Sequence, residues 1–202
     1  MRWFMSMPRL LAALRSFRKP LKSGYPRLVV LTDAARGYDL ARQAAVCPPA
    51  AILIERTYGK KASPESRTTR RRPIRLATVL PREARQSGLD GVHWPEKQLR
   101  LRRQSEVRGL IETASAHRGL SIGKARKLGV TAILISVAFP SQSSSATRPG
   151  AGRAKGPIRL ALLQRAFPVC DLYGLGGIQA KTTRHLARSG LYGVALISGL
   201  VA

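Results

Sequence analysis

The sequence predicts an α/β fold, a compact barrel of eight parallel βα units, and three observations carry that expectation. Short aliphatic runs alternate with polar, helix-like pieces along the chain, the pattern of a parallel sheet covered on both faces by crossover helices. Eight such runs occur in 202 residues. Residues 173–200, YGLGGIQAKTTRHLARSGLYGVALISGL, then read as a strand ending in a glycine pair, a short helix, and a second strand ending in Ser-Gly. Glycines at two successive strand ends let the backbone approach an anion, and the helix between them directs free N–H groups toward it. The chain is near the short limit for such a barrel, typically about 250 residues, so its loops must be brief.

Taken in order, the start MRWFMSMPRLLAALRSFRKP is basic and partly apolar. Its apolar run from Leu10 to Leu14 is too short for a signal-peptide core or a membrane span. An amphipathic helix over 8–17 is expected, either plugging the barrel bottom or resting on an anionic membrane surface. Residues 1–24 are set apart as a basic arm, and 25–202 as the barrel. Strands are expected at 27–32, 51–56, 74–79, 91–94, 111–115, 132–138, 169–175 and 193–198. Helices are clearest at 38–45, at 121–128 (Ser121 as N-cap, Gly129 just past the end) and at 182–189 (Thr182 or Thr183 as N-cap, Gly190 past the end). Residues 60–73, KKASPESRTTRRRP, lack an apolar face and read as a loop. Residues 141–157, rich in Ser, Gly and Pro, read as a long loop at the C-terminal end of the sixth strand, where active-site lids sit. No final helix is expected after the eighth strand, and the N-terminal helix is available to cover that gap.

The chain carries 36 Lys and Arg against 10 Asp and Glu, a formal charge of +26. Such a surface attracts polyanions by counterion release, so non-specific association with nucleic acid has to be weighed. The basic residues are scattered through every segment, and no aromatic-interleaved basic motif accompanies them, so an Arg-rich composition is the plainer of the two accounts of the charge. Two distant cysteines, Cys47 and Cys170, support neither a disulfide framework nor a metal cluster. They read as buried thiols of a reducing, cytoplasmic setting.

Residues Leu175-Gly176-Gly177-Ile178, Gly190 and Gly193-Val194-Ala195-Leu196-Ile197-Ser198 closely resemble the C-terminal signature of the thiamine phosphate synthase family, which includes tautomerase relatives. The resemblance implies a TIM-type (β/α)8 barrel with Gly176, Gly177, Ile197, Ser198 and Gly199 around a phosphate. Leu89-Asp90-Gly91-Val92-His93 is similar to the family's "ADGVH" strand. In that register, the Asn-Asp pair expected fifteen residues before His93 falls on Thr78 and Val79, and an Asp expected five residues after it falls on Gln98. Those aspartates hold the family's Mg2+, which bridges the pyrophosphate leaving group. A hard cation needs carboxylate oxygens; Glu96 is the stand-in candidate, or else a solvated surface charge. Ile52-Leu53-Ile54-Glu55-Arg56 resembles the family's "QLR" strand, which makes Arg56 either a diphosphate clamp or the partner of Asp33 or Glu55 in a salt bridge. Ser115-Ala116-His117 resembles "S-x-H", with His117 orienting a pyrimidine or simply satisfied at a strand end. Phe139-Pro140-Ser141-Gln142-Ser143 resembles the "FPTxT" lid, with hydroxyls at Ser141 and Ser143, Ser144 in place of a Lys, and Arg148 as its possible substitute. Val137 stands where the tautomerase branch places a His.

The resemblance implies joining of hydroxymethylpyrimidine diphosphate to thiazole phosphate with loss of pyrophosphate, at a rate reduced by the missing carboxylates. Two alternatives stand beside it. One is a non-catalytic protein binding thiazole phosphate or another phosphate ester; the other is a basic nucleic-acid-associated protein.

Overall fold

The computed structural model describes residues 5–17, 24–64, 72–141, 153–198 and 200–201. The chain enters through a two-residue strand, β1 (Met5–Ser6), and a helix, α1 (Met7–Leu14). Eight strands follow: β2 (Leu28–Leu31), β3 (Ile52–Glu55), β4 (Ile74–Ala77), β5 (Gly91–Trp94), β6 (Ile111–Ala116), β7 (Ala132–Ser136), β8 (Asp171–Leu175) and β9 (Gly193–Leu196). They close a barrel in chain order, every pairing parallel, with β9 returning to β2. A last short strand, β10 (Leu200–Val201), pairs parallel with β1.

Seven of the eight barrel strands fall within an expected aliphatic run and β6 runs one residue past its own, to Ala116, because branched side chains suit a pleated surface buried on both faces. Alternation along the strands builds two cores. Val29, Ile52, Leu134 and Tyr173 belong to the barrel interior. Val30, Leu53, Ile133 and Leu172 belong to the layer between sheet and helices. Burying each such side chain contributes roughly 1.5–3 kcal/mol.

The helices are α2 (Leu40–Val46), α3 (Pro81–Gln86), α4 (Gly119–Lys127), α5 (Gly156–Ala166) and α6 (Ala180–Ala187). Asp39 caps α2 by accepting the Arg42 N–H at 2.9 Å. Several boundaries differ from expectation. Ser121 is not an N-cap: Arg118 holds that place, and the Ser121 hydroxyl is drawn away to Glu96. Gly129 does follow the C-cap Leu128 in the left-handed conformation, φ +86°. Neither Thr182 nor Thr183 caps α6. Gln179 does, with its N–H donated to Thr182 Oγ1 at 2.7 Å. The short α3 and the longer α5 had no clear sequence counterpart. Pro157, read as the end of a loop, instead lies in the first turn of α5, where its fixed φ and missing N–H cost nothing.

The N-terminal helix does not plug the barrel bottom. It lies on the flank against α6, with Leu10, Leu14 and Phe17 in the outer core. No helix follows β9 among the described residues. The bottom is closed from another segment: the Tyr173 hydroxyl donates to the Pro26 carbonyl at 2.9 Å and the Tyr192 hydroxyl to that of Tyr25, while Arg27 stacks 5.1 Å from the Tyr192 ring. Cys47 and Cys170 are both buried. No helix among the described residues is long and apolar enough to cross a membrane. Of the expected loops, 65–71 and 142–152 lie outside the described residues.

Candidate functional site at the C-terminal mouth of the barrel

Strand β8 ends in Leu175, and Gly176 and Gly177 follow at φ +97° and +64°. The glycines are needed for close packing as well as for conformation. A Cβ at 177 would lie 2.6 Å from the Pro140 carbonyl oxygen and 2.7 Å from Phe139 Cβ. The Phe139 N–H donates to the Gly176 carbonyl at 3.1 Å and the Ala138 N–H to that of Leu175 at 2.8 Å, so the segment after β7 is laid directly on this strand end. Among the described residues, the N–H groups of Gly177 and Ile178 meet no protein acceptor. They precede the N-terminus of α6, where the helix dipole is positive. Main-chain N–H groups placed before a helix N-terminus are the kind of donors an anion accepts from.

The neighbouring strand end is held by a residue that sequence reasoning passed over. Gln43, on α2 and 2% exposed, donates through Nε2 to the Leu31 carbonyl at 2.9 Å and to that of Ile197. One side-chain amide thereby sets the spacing between the ends of β2 and β9, and with it Ile197 and Ser198. Gly199 lies outside the described residues. A lone Gln in an aliphatic helix offered no signal beyond its departure from the apolar pattern.

At the end of β3, Arg56 takes the salt-bridge alternative. Its Nη2 sits 2.7 Å from Asp33 Oδ2, and its Nε donates to the Thr32 carbonyl at 2.6 Å. Its guanidinium lies 5.2 Å from the Tyr58 ring centre. Glu55 is occupied elsewhere, with Arg75 at 3.3 Å and the Ser63 hydroxyl at 2.9 Å. Arg56 is thus fixed at the mouth with much of its charge balanced by a buried carboxylate.

His93 lies inside the barrel, with Nδ1 2.7 Å from Thr113 Oγ1 and Nε2 2.8 Å from Ser115 Oγ. Burial, reinforced by the Arg56 charge, pushes its pKa down to about 3, so the imidazole is neutral. The Ser115 of the "S-x-H" pattern therefore serves His93. His117 instead pairs with Glu96: Oε2 accepts the His117 main-chain N–H at 3.0 Å and Nδ1 at 2.5 Å, and Oε1 accepts the Ser121 hydroxyl at 2.5 Å. Burial alone would raise the Glu96 pKa, but the donors from Ser121 and His117 outweigh it and hold the carboxyl below its usual range. Both Glu96 oxygens are thus engaged by protein donors while the side chain stays partly exposed.

The magnesium places can be tested directly. Val79 is 8% exposed and belongs to the outer hydrophobic core. Thr78 is engaged with Thr57, their hydroxyls 3.1 Å apart. Gln98 sits in a turn on the Pro95 carbonyl, and both Glu96 oxygens have protein donors. Among the described residues no group of three or more His, Cys, Asp or Glu could hold a metal ion. The residues present do not fit a resident magnesium.

Lys155 was not among the expected site residues. It follows the stretch 142–152, and its Nζ donates to the Ser136 carbonyl at 2.5 Å, at the end of β7. Burial, with help from Arg159, pulls its pKa down, while Glu96 opposes the shift. Its only sequence signal was being the one Lys within the expected loop 141–157. Ser141 is described at the edge of that lid and is partly exposed; Ser143, Ser144 and Arg148 lie outside the described residues.

Residues 81–200 match the model of a family described as thiamine monophosphate synthase. No curated protein is significantly similar to the chain. Among solved structures, the chain is similar to a thiamine phosphate pyrophosphorylase from Pyrococcus furiosus, with TM-score 0.61, 19% identity and 85% of each chain covered. It is also similar to a 4-hydroxy-2-oxoglutarate/2-dehydro-3-deoxyphosphogluconate aldolase, with TM-score 0.53, 18% identity, and 91% and 87% of the two chains covered. At these identities the structural likeness shows the barrel fold.

Proposed function

Since the chain belongs to the thiamine monophosphate synthase family, we propose that it joins hydroxymethylpyrimidine diphosphate to thiazole phosphate with release of pyrophosphate, at a low rate. The observation that carries this reading is the pair of main-chain N–H groups at Gly177 and Ile178, braced by the 137–140 segment at the end of the strand that pairs with β9. Donors of this kind take the phosphate of the thiazole partner and leave the ring facing the mouth. There the C–O bond to the diphosphate breaks, its electron pair leaves with pyrophosphate, and the thiazole nitrogen captures the pyrimidinylmethyl cation. His93, neutral and held by two hydroxyls, adds no charge that would oppose this cation. Catalysis is electrostatic and needs no protein nucleophile.

The low rate follows from Val79 and Gln98. Removing one preorganised electrostatic partner typically costs about 10²–10³ in rate, and two carboxylate positions are missing here. The same observation favours a second reading, a non-catalytic binder of thiazole phosphate or a related ester. Calorimetry with thiazole phosphate, followed by product detection after adding the pyrimidine diphosphate, separates the two. Binding with slow product formation is expected; binding without product selects the second reading. Absence of thiazole phosphate binding rejects both, and salt-sensitive RNA binding in its place would favour the basic nucleic-acid alternative.

A further inference from the structure

Resting on that reading of the reaction, we propose that Lys155 holds the diphosphate in place of a metal, so that the leaving group is neutralised by an ammonium fixed on the end of β7. Three observations converge on it. First, Lys155 Nζ reaches the Ser136 carbonyl, and its own main-chain N–H donates to the Val137 carbonyl at 3.0 Å. The residue is therefore tied at both ends to the segment that packs on Gly176 and Gly177. Of the three ammonium donors, this accounts for one.

Second, the local charge pattern opposes a cation here. Lys155 is the N-cap residue of α5, whose first turn carries no acidic residue, so the positive end of the helix dipole and the ammonium reinforce each other. Exposed Arg159 adds to this repulsion, and burial removes solvent from the amine. A local rule broken without a local gain is what a ligand site shows.

Third, the nearby carboxylate offsets this charge only in part, since burial and Arg159 outweigh it. Glu96 already accepts from the His117 main chain, the His117 ring and Ser121. The result is a cationic corner with an incomplete anionic complement, beside main-chain donors suited to phosphate. In the reaction the oxygen of the breaking C–O bond takes the electron pair and the Lys155 ammonium hydrogen-bonds to the departing diphosphate. The lysine keeps its proton throughout, and no metal enters the balance.

The test is calorimetry with inorganic pyrophosphate on the full chain in the presence of EDTA. The unmodified protein is expected to bind, and Lys155→Met to weaken binding about 10- to 100-fold, the usual worth of hydrogen bonds to charged groups. Lys155→Arg should retain binding to within a few-fold, and Lys127→Met, at an exposed lysine on α4, should change nothing. Melting curves establish that each variant is folded; if Lys155→Met does not fold, Lys155→Gln takes its place. Binding that needs magnesium, or that is equally weakened by Lys127→Met, or that survives loss of the Lys155 charge, overturns the proposal. Pyrophosphate binding that follows Lys155 without any thiamine phosphate product would leave this site standing and defeat the synthase reading alone.

Discussion

The two sides of the barrel mouth differ in what they are made of. The side at the ends of β8 and β9, where we propose that phosphate binds, is main chain: N–H groups at 177 and 178, a helix terminus, and a backbone spacing set by Gln43. The opposite side, at the ends of β4 and β5, depends on side chains, and here those are Thr78, Val79, Glu96 and Gln98. A main-chain site asks only for glycine and a particular path, so it survives wide changes in sequence. A metal site asks for oxygen ligands at fixed places, and one Val among them is enough to end it.

The sharpest way to break the main-chain side is Gly177→Ala. The new Cβ would meet the Phe139–Pro140 backbone at a positive φ, and left-handed strain plus overpacking should cost about 2–5 kcal/mol. Thermal melting and thiazole phosphate calorimetry should both register the loss. An unchanged melting curve would show that the loop does not pack on the glycine.

His93 lies inside the barrel on β5, and its effect appears with pH. Its folded pKa, about 3, is below the ordinary 6.5, so the unfolded chain binds the extra proton. The stability it contributes is complete above about pH 6.5 and is lost as pH falls toward 3. Between pH 6.5 and 4 the loss should be about 3 kcal/mol. His93→Gln should flatten that part of the stability curve; an unaltered slope would assign the acid sensitivity to the carboxylates instead.

Gln43→Leu should leave two strand-end carbonyls without their donor, at about 1–3 kcal/mol of stability, and weaken thiazole phosphate binding more than pyrophosphate binding. Equal weakening of both ligands would mean that Gln43 supports the whole mouth rather than one end of it. The mildest effect is expected on the other side. The double variant Val79→Asp with Gln98→Asp should bring a weak magnesium response, about tenfold in pyrophosphate affinity, partly masked by the cost of a carboxylate at a buried position. No magnesium response would indicate that Val79 faces the outer core in a way a single replacement cannot reverse.

Much of the fold was legible because alternation of aliphatic runs is a local property. The runs at 51–56 and 132–138 each contain their strand, and Gly129 ended its helix as expected. The misses share a cause. Pro157 reads as loop until it is seen in the first turn of α5, and Ser121 reads as a cap until Glu96 is placed beside it. At the site, the glycine ends could be read directly, since φ and close approach leave their mark on residue type. Arg56 could not be decided between clamp and ion pair, because Asp33 is distant in sequence. Gln43 and Lys155 went unnoticed for the same reason.

By itself, then, the chain determined the order of eight parallel strands, the glycine pair at the end of β8 and the absence of carboxylates at 79 and 98. These are statements about residue type and short-range periodicity, and they need no third dimension. Tertiary structure alone decided how the remaining polar groups are paired. Lys155 meets a carbonyl 19 residues away, Glu96 a ring 21 residues away, and Gln43 a carbonyl 154 residues away. Such pairings are set only when barrel closure brings distant strand ends to one mouth, where each buried donor must find an acceptor.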